Sequence, residues 1–153
     1  MKFLDSGGSG YSSDAISAVE YAIDKGAHLT SNSWGGGGFS QALSDAIDAA
    51  GAAGQLFVAA AGNSSLNNDL YPHYPSSYEG PTVIAVANSD HNDLCSSTSC
   101  WGLESVDLAA PGSSIYSTMQ GESSGSVGGT STATPHVAGV AALLLAQARS
   151  AAL

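Results

Sequence analysis

The sequence predicts an α/β domain: a three-layer sandwich in which a mainly parallel sheet lies between helices. Three observations carry this. Extended and helical patterns alternate in the order βαβαβ through the first part of the chain. One extended run, Gln55-Leu56-Phe57-Val58-Ala59-Ala60-Ala61, is apolar almost without interruption, as a parallel strand covered on both faces must be. Glycine-rich strings (Gly7-Gly8-Ser9-Gly10, Gly35 to Gly38, Gly62-Asn63) fall just past extended runs, where ligands sit in open α/β sheets.

Taken in order, Lys2-Phe3-Leu4-Asp5 reads as the end of a strand. Ser12 or Ser13 then caps a helix whose apolar positions, Ala15, Ile16, Val19, Ala22 and Ile23, follow the spacing of one face. Lys25 and Gly26 close it, cation first and glycine after. Ala27 to Trp34 reads as a buried strand, and a second helix runs from Ser40 to Ala53 with Ala42, Leu43, Ala46, Ile47 and Ala50 inward. After the strand at 55–61, Thr82 to Ala87 and Val106 to Ala109 are short strands, separated by a polar loop from Asn88 to Gly102. Gly128-Gly129 turns the chain into Thr130-Ser131-Thr132-Ala133-Thr134-Pro135-His136-Val137-Ala138-Gly139 and an apolar helix through Ala146. With Val137, Val140, Ala141, Leu143, Leu144 and Leu145 on it, this last helix is predicted to be buried on most sides. The βαβ order implies right-handed crossovers and helices on both faces.

Composition bounds the function. A chain of 153 residues is one domain or a piece of one. Lys2, Lys25 and Arg149 are the only Lys or Arg residues against 13 acids, so the net charge of −10 argues against nucleic acid or an anionic membrane as partner. The apolar run Val137 to Ala146 is far short of the about 20 residues a membrane helix needs. Asp5 interrupts Met1-Lys2-Phe3-Leu4 too early for a signal peptide. Cys95 and Cys100 are compatible with a small disulfide loop or with two free thiols. Without further cysteines or paired histidines, zinc is not expected. Asp90 and Asp93 read as solvated loop carboxylates, and no metal is assigned.

Two places have chemistry in them. Ser131 stands at the start of a helix, where free N–H groups and the positive dipole end favour developing negative charge. Taken alone, Ser-Thr-Ala-Thr is an ordinary hydroxyl cap, and Asn63 after Gly62 an ordinary turn residue. The whole string from Gly128 to Gly139, however, resembles the nucleophile motif of the subtilisin-like serine proteases, Gly-Thr-Ser-x-Ala-x-Pro-His-Val-Ala-Gly, with Thr132 where that family usually has Met. The resemblance implies that Ser131 is the nucleophile, with its own N–H as one oxyanion donor. Ala60-Ala61-Gly62-Asn63 resembles the family's Ala-Ala-Gly-Asn, whose asparagine donates to the oxyanion. Ser33-Trp34-Gly35-Gly36 resembles the Ser-Leu-Gly-Gly wall of the primary specificity pocket, and Gly8-Ser9-Gly10 the opposite edge. The resemblance thus implies an extended polypeptide held between the two edges by main-chain hydrogen bonds. Ala60, Ala61 and Gly62 would form a pocket floor admitting bulky or apolar side chains. Tyr74-Pro75 resembles a family Tyr-Pro that is commonly cis.

Other matches mislead. Leu4-Asp5-Ser6-Gly7 looks like the family's catalytic-aspartate signature, but the glycine-rich edge and capped helix after it match the later substrate edge. His136 matches the structural histidine after the nucleophile; His28 is read within a strand, and His73 and His91 in loops. None has the His-Gly-Thr-His context of the general base. A Ser-His-Asp mechanism needs a base within hydrogen-bond reach of the serine and an aspartate to orient it. The resemblance places both upstream of Met1. It therefore implies that residues 1–153 are part of a subtilisin-like peptidase domain truncated on its N-terminal side, running from substrate edge to nucleophile helix. The expected activity is serine endopeptidase, secreted in full-length form and needing no cofactor. The family's structural calcium is not assignable to any residue here. The chain alone is expected to be inefficient, with the N-terminal half of the same domain as its partner. A non-catalytic peptide-binding relative is the alternative, marked by peptide affinity without turnover. A nucleotide-binding domain is disfavoured: Gly8-Ser9-Gly10 lacks a third glycine at Ser13, and no lysine follows Gly125 to Gly129.

Overall fold

The computed structural model describes residues 1–151. Helix α1 (Ser12–Asp24) is followed by strand β1 (Leu29–Asn32), helix α2 (Gln41–Ala52), and strands β2 (Leu56–Ala60), β3 (Val83–Ser89) and β4 (Leu108–Pro111). Then come β5 (Ile115–Met119), β6 (Ser123–Val127) and helix α3 (Thr130–Ala151). β1 to β4 form one parallel sheet in the order β1-β2-β3-β4, with Asn32 beside Ala59, Ala60 beside Val86 and Ala87 beside Ala109. β5 and β6 pair antiparallel in a separate two-stranded ribbon. The mainly parallel α/β sandwich expected from the sequence is the observed architecture.

The central run explains the three layers. Side chains alternate along a strand, so Phe57 and Ala59 of β2 point into one core, with Ala15, Val19, Leu43, Ile47 and Ala50 of α1 and α2. Val58 points into the other, with Val86, Ala110, Ala133 and Ala138, on the side of α3. Both faces of β2 are therefore dry, and its apolar run has no polar alternate. Ser40 caps α2 by accepting the Leu43 N–H, and Gly54 follows it at φ +80°. α1 ends as expected, with Gly26 at φ +65° after Lys25.

Several expectations are corrected. Residues 2–5 form no strand: the Asp5 carboxylate accepts the N–H groups of Gly7 (2.8 Å) and Ser9 (3.0 Å), folding the segment into a turn. Neither Ser12 nor Ser13 caps α1; Tyr11 holds the cap position and makes no side-chain cap bond. β1 is shorter than 27–34 and only partly buried, because it is an edge strand of the sheet, and His28 lies just before it. α3 is not buried on most sides: Val140, Leu143 and Leu144 are 57%, 72% and 62% exposed, while Thr130, Ala133, Thr134 and Ala138 face the sheet. Cys95 and Cys100 are free thiols, the first exposed and the second buried. The Tyr74-Pro75 bond is cis.

Candidate functional site

The carboxyl ends of β1 and β2 and the start of α3 meet at one cleft of about 590 Å³. At its centre is a pinned amide. The backbone turns out of β2 at Gly62 (φ +107°), where a Cβ would come within 2.9 Å of the His73 ring and 3.1 Å of Cys100 Sγ. This places Asn63 against the start of α3. Its Oδ1 accepts the Thr130 N–H at 2.8 Å and the Thr130 hydroxyl at 3.2 Å. A backbone N–H only donates, so the amide oxygen must face Thr130 and Nδ2 is turned away from it. On its other side the amide lies against Gly129 (φ +131°), where a Cβ would sit 3.1 Å from Oδ1 and 3.3 Å from Nδ2. Thr130 Oγ1 also accepts the N–H of Gly62 at 3.2 Å, tying the strand end to the helix start.

Ser131 is the next residue, exposed at the cleft and in the first turn of α3, whose amides lack intrahelical acceptors. Its hydroxyl donates only weakly, to the Ser33 carbonyl at 3.5 Å, whereas Ser33 Oγ donates to the Ser131 carbonyl at 2.7 Å. The Ser33 segment is thus latched to the helix start. Trp34 anchors it from below, edge-on to Phe3 and Phe57, with Nε1 donating to Asn32 Oδ1 at 3.2 Å.

Of the residues singled out in the sequence, Gly8, Ser9, Gly10, Ser33, Trp34, Gly35, Ala60, Gly62, Asn63 and Ser131 all line this cleft. Ala61 does not: it is fully buried behind it, donating its N–H to Val86. No histidine among the described residues bonds to Ser131 Oγ; His136 Nδ1 instead contacts the Thr132 carbonyl at 2.9 Å. Asp5 is occupied in its turn. Among the described residues there is no group of three or more His, Cys, Asp or Glu side chains placed to hold a metal ion.

Among the cleft residues that the sequence did not single out, Thr130 and His73 shape it most. Thr130 passes for a helix cap in the sequence, and its role as the clamp on Asn63 is visible only in three dimensions. His73 passes for a loop residue, yet its ring lies between Gly35 and Gly62: a Cβ on Gly35 would overlap its Cε1. The bare backbone at those two glycines was the one signal that something bulky fits there. Burial pushes the His73 imidazole below its ordinary pKa of 6.5, so the ring is neutral around pH 7.

Comparison with known proteins converges on one group. The model of the subtilase family (Peptidase S8) matches residues 1–152. Thermitase from Thermoactinomyces vulgaris is 46% identical over 151 residues, which are 99% of this chain and 52% of that protein. Subtilisin DY from Bacillus licheniformis is 43% identical over 148 residues, covering 96% of this chain and 53% of the relative. Among solved structures, a cold-adapted subtilisin-like serine proteinase superposes with a TM-score of 0.86 at 38% identity, over 95% of this chain and 52% of that one. The chain spans about half the length of these relatives.

Proposed function

This chain belongs to the subtilase family, and from that premise we propose that it contributes the nucleophile half of a serine endopeptidase site. Residues 1–153 are in this reading one part of a peptidase domain, running from substrate edge to nucleophile helix. Ser131 Oγ attacks the scissile carbonyl of an extended polypeptide. The charge that develops on the carbonyl oxygen is taken up by Asn63 Nδ2 and the Ser131 N–H, donors fixed before the reaction begins. Gly8-Ser9-Gly10 and Ser33-Trp34-Gly35 are the two edges that hold the peptide, and Ala60 and Gly62 the small residues at the pocket.

The observation that carries this reading is the Asn63–Thr130 clamp, which commits the amide oxygen and leaves the amide N–H₂ for the cleft shared with Ser131. The general base and its orienting aspartate come, in this proposal, from a separate N-terminal half of the domain. Ser131 Oγ, held only by a 3.5 Å contact, is free to turn toward that base. In full-length form the enzyme is proposed to be secreted, in keeping with its subtilisin relatives.

A fluorophosphonate probe tests the division of labour. The chain alone should label slowly at Ser131. Adding an N-terminal half should give rapid stoichiometric labelling and peptide hydrolysis, both abolished by Ser131→Ala. Retained peptide affinity with no labelling or turnover in the complemented protein would replace the peptidase reading with that of a non-catalytic peptide binder.

A further inference from the structure

We propose that Cys100 is a positioning residue for the Asn63 amide: it holds the chain on both sides of residue 63 and so fixes where the amide N–H₂ stands relative to Ser131. This rests on the reading of Asn63 as an oxyanion donor and adds to it the group that places the donor.

The bond to Thr130 orients the amide at its tip, but the place from which the side chain starts is set by the backbone. That backbone leaves β2 at Gly62, φ +107°, and glycine is the most permissive residue there is. Two positions past Asn63's own neighbour on that side, Ser65 holds φ +59°, a left-handed conformation that a serine keeps only where its surroundings impose it. Segment 97–101 imposes it. The Ser65 N–H donates to the Thr98 carbonyl at 3.0 Å, and Ser65 Oγ donates to the Ser97 carbonyl at 2.7 Å. The Trp101 N–H donates to the Leu66 carbonyl at 3.1 Å, so the two segments run alongside each other.

Cys100 is the member of that segment that reaches both neighbours of Asn63. Its N–H donates to the Gly62 carbonyl at 2.8 Å, and its Sγ lies 3.1 Å from Ser64 Oγ. The same sulfur stands 3.1 Å from where a Cβ on Gly62 would be, so it fills a flank that the glycine leaves bare. The thiol is buried and free, and Ser64 Oγ is the polar atom it meets. Cys100 is itself tied to the sheet: Ser99 Oγ accepts the Asn88 N–H of β3 at 2.9 Å and donates to the Cys100 carbonyl at 2.8 Å. The path from β3 through Cys100 to residues 62 and 64 is thus bonded at every step. Asn63, between them, is held from the sheet on one side and from α3 on the other.

The test uses the ¹⁵N-labelled 153-residue chain and the variants Cys100→Ala, Cys100→Ser and Ser64→Ala. Loss of one neutral hydrogen bond predicts that exchange of the Thr130 N–H, the donor to Asn63, speeds about 2- to 10-fold relative to that of the core Phe57 N–H in Cys100→Ala and Ser64→Ala. The Asn63 side-chain amide resonance should move in both. Cys100→Ser, which keeps a partner for Ser64, should stay close to the parent. If Cys100→Ala does not fold, Ser64→Ala, on the exposed side of the contact, decides. A residue that only adds stability would speed Phe57 and Thr130 alike and leave the Asn63 resonance in place. That outcome, or a Cys100→Ser that behaves as Cys100→Ala does, overturns the role of Cys100 and leaves the peptidase reading standing. In the complemented protein, Cys100→Ala should slow fluorophosphonate labelling of Ser131 with peptide affinity unchanged, since the oxyanion exists only after attack. An amide that moves as expected with no slowing of labelling overturns the oxyanion reading of Asn63, and the proposal with it.

Discussion

Asn63 Oδ1 and the backbone N–H of Thr130 are 2.8 Å apart, and this one bond orients the amide. The Thr130 hydroxyl adds to it while accepting from the buried Gly62 N–H, so it serves two partners with one oxygen. Thr130→Val keeps the volume and the backbone bond but strands the Gly62 donor. The isolated chain should lose about 1–3 kcal/mol, the cost of leaving a buried donor unpaired, measurable by urea unfolding. In the complemented enzyme, Thr130→Val should lower kcat less than Asn63→Leu does. For Asn63→Leu the expected loss is about 10²–10³-fold, a magnitude that comes from the oxyanion asparagine of a subtilisin itself and is carried over to this relative.

Gly129 closes the other side of that amide. Its φ of +131° is one L side chains rarely adopt, and a methyl group there would press on Oδ1, Nδ2 and Cγ of Asn63 at 3.1–3.4 Å. Gly129→Ala should therefore act twice. Backbone strain should cost about 1–3 kcal/mol in unfolding free energy, and displacement of the amide should slow fluorophosphonate labelling of Ser131 in the complemented protein. Gly139, on the open side of α3, provides the contrast, since nothing lies within 4 Å of a Cβ there. Gly139→Ala should leave labelling unchanged and stabilise the helix slightly. Equal labelling rates in the two variants would show that the amide's placement does not depend on Gly129.

What was legible in the sequence was whatever local pattern and burial jointly determine. The run 55–61 gave away β2 because a strand with two cores has no polar face, and Ser40 and Gly54 bracketed α2 by capping chemistry. The β5–β6 ribbon left no such trace: Ser117, Ser123, Ser124, Gly125 and Ser126 show no alternation because most of both strands is exposed. Only Gly121 (φ +81°) and Glu122 (φ +54°) mark its turn. Burial of α3 was misjudged because apolar composition does not say which side has something to pack against. At the site, glycine strings and the residues around Ser131 and Asn63 were visible as strings, whereas Thr130 and His73 act through contacts between segments distant in sequence.

The outer face of α3 follows from that misjudgment. Val140, Leu143 and Leu144 are largely exposed, so truncating them should change stability little. Leu143→Ala should fall within about 0.5 kcal/mol of the parent, whereas Ile47→Ala, which empties a fully buried site, should cost about 2–5 kcal/mol. The exposed row should also drive self-association of the isolated chain. Leu143→Lys with Leu144→Lys should shift it toward monomer in size-exclusion chromatography without moving the urea midpoint. A large drop in midpoint for Leu143→Ala would mean that this face is packed in solution.

Asp69 supplies a pH dependence of known sign. Its carboxylate accepts the Ser105 hydroxyl at 2.6 Å and the N–H groups of Leu103, Ser105 and Glu104 at 2.8, 2.9 and 3.3 Å, holding the 103–105 turn. The Ser105 hydroxyl bond first, and the three amides after it, hold the folded-state pKa below the ordinary value of 3.8, against a desolvation effect that raises it. A depressed carboxylate pKa means that the unfolded chain takes up a proton before the folded one does. The contribution is therefore complete above about pH 3.8 and is lost as pH falls from there through the folded-state value. Unfolding curves of the parent and of Asp69→Asn should differ by a constant amount at neutral pH, and that difference should shrink on acidification below about 3.8. A difference that stays constant down to the acid limit would show that the turn is held by the geometry of the side chain and not by its charge.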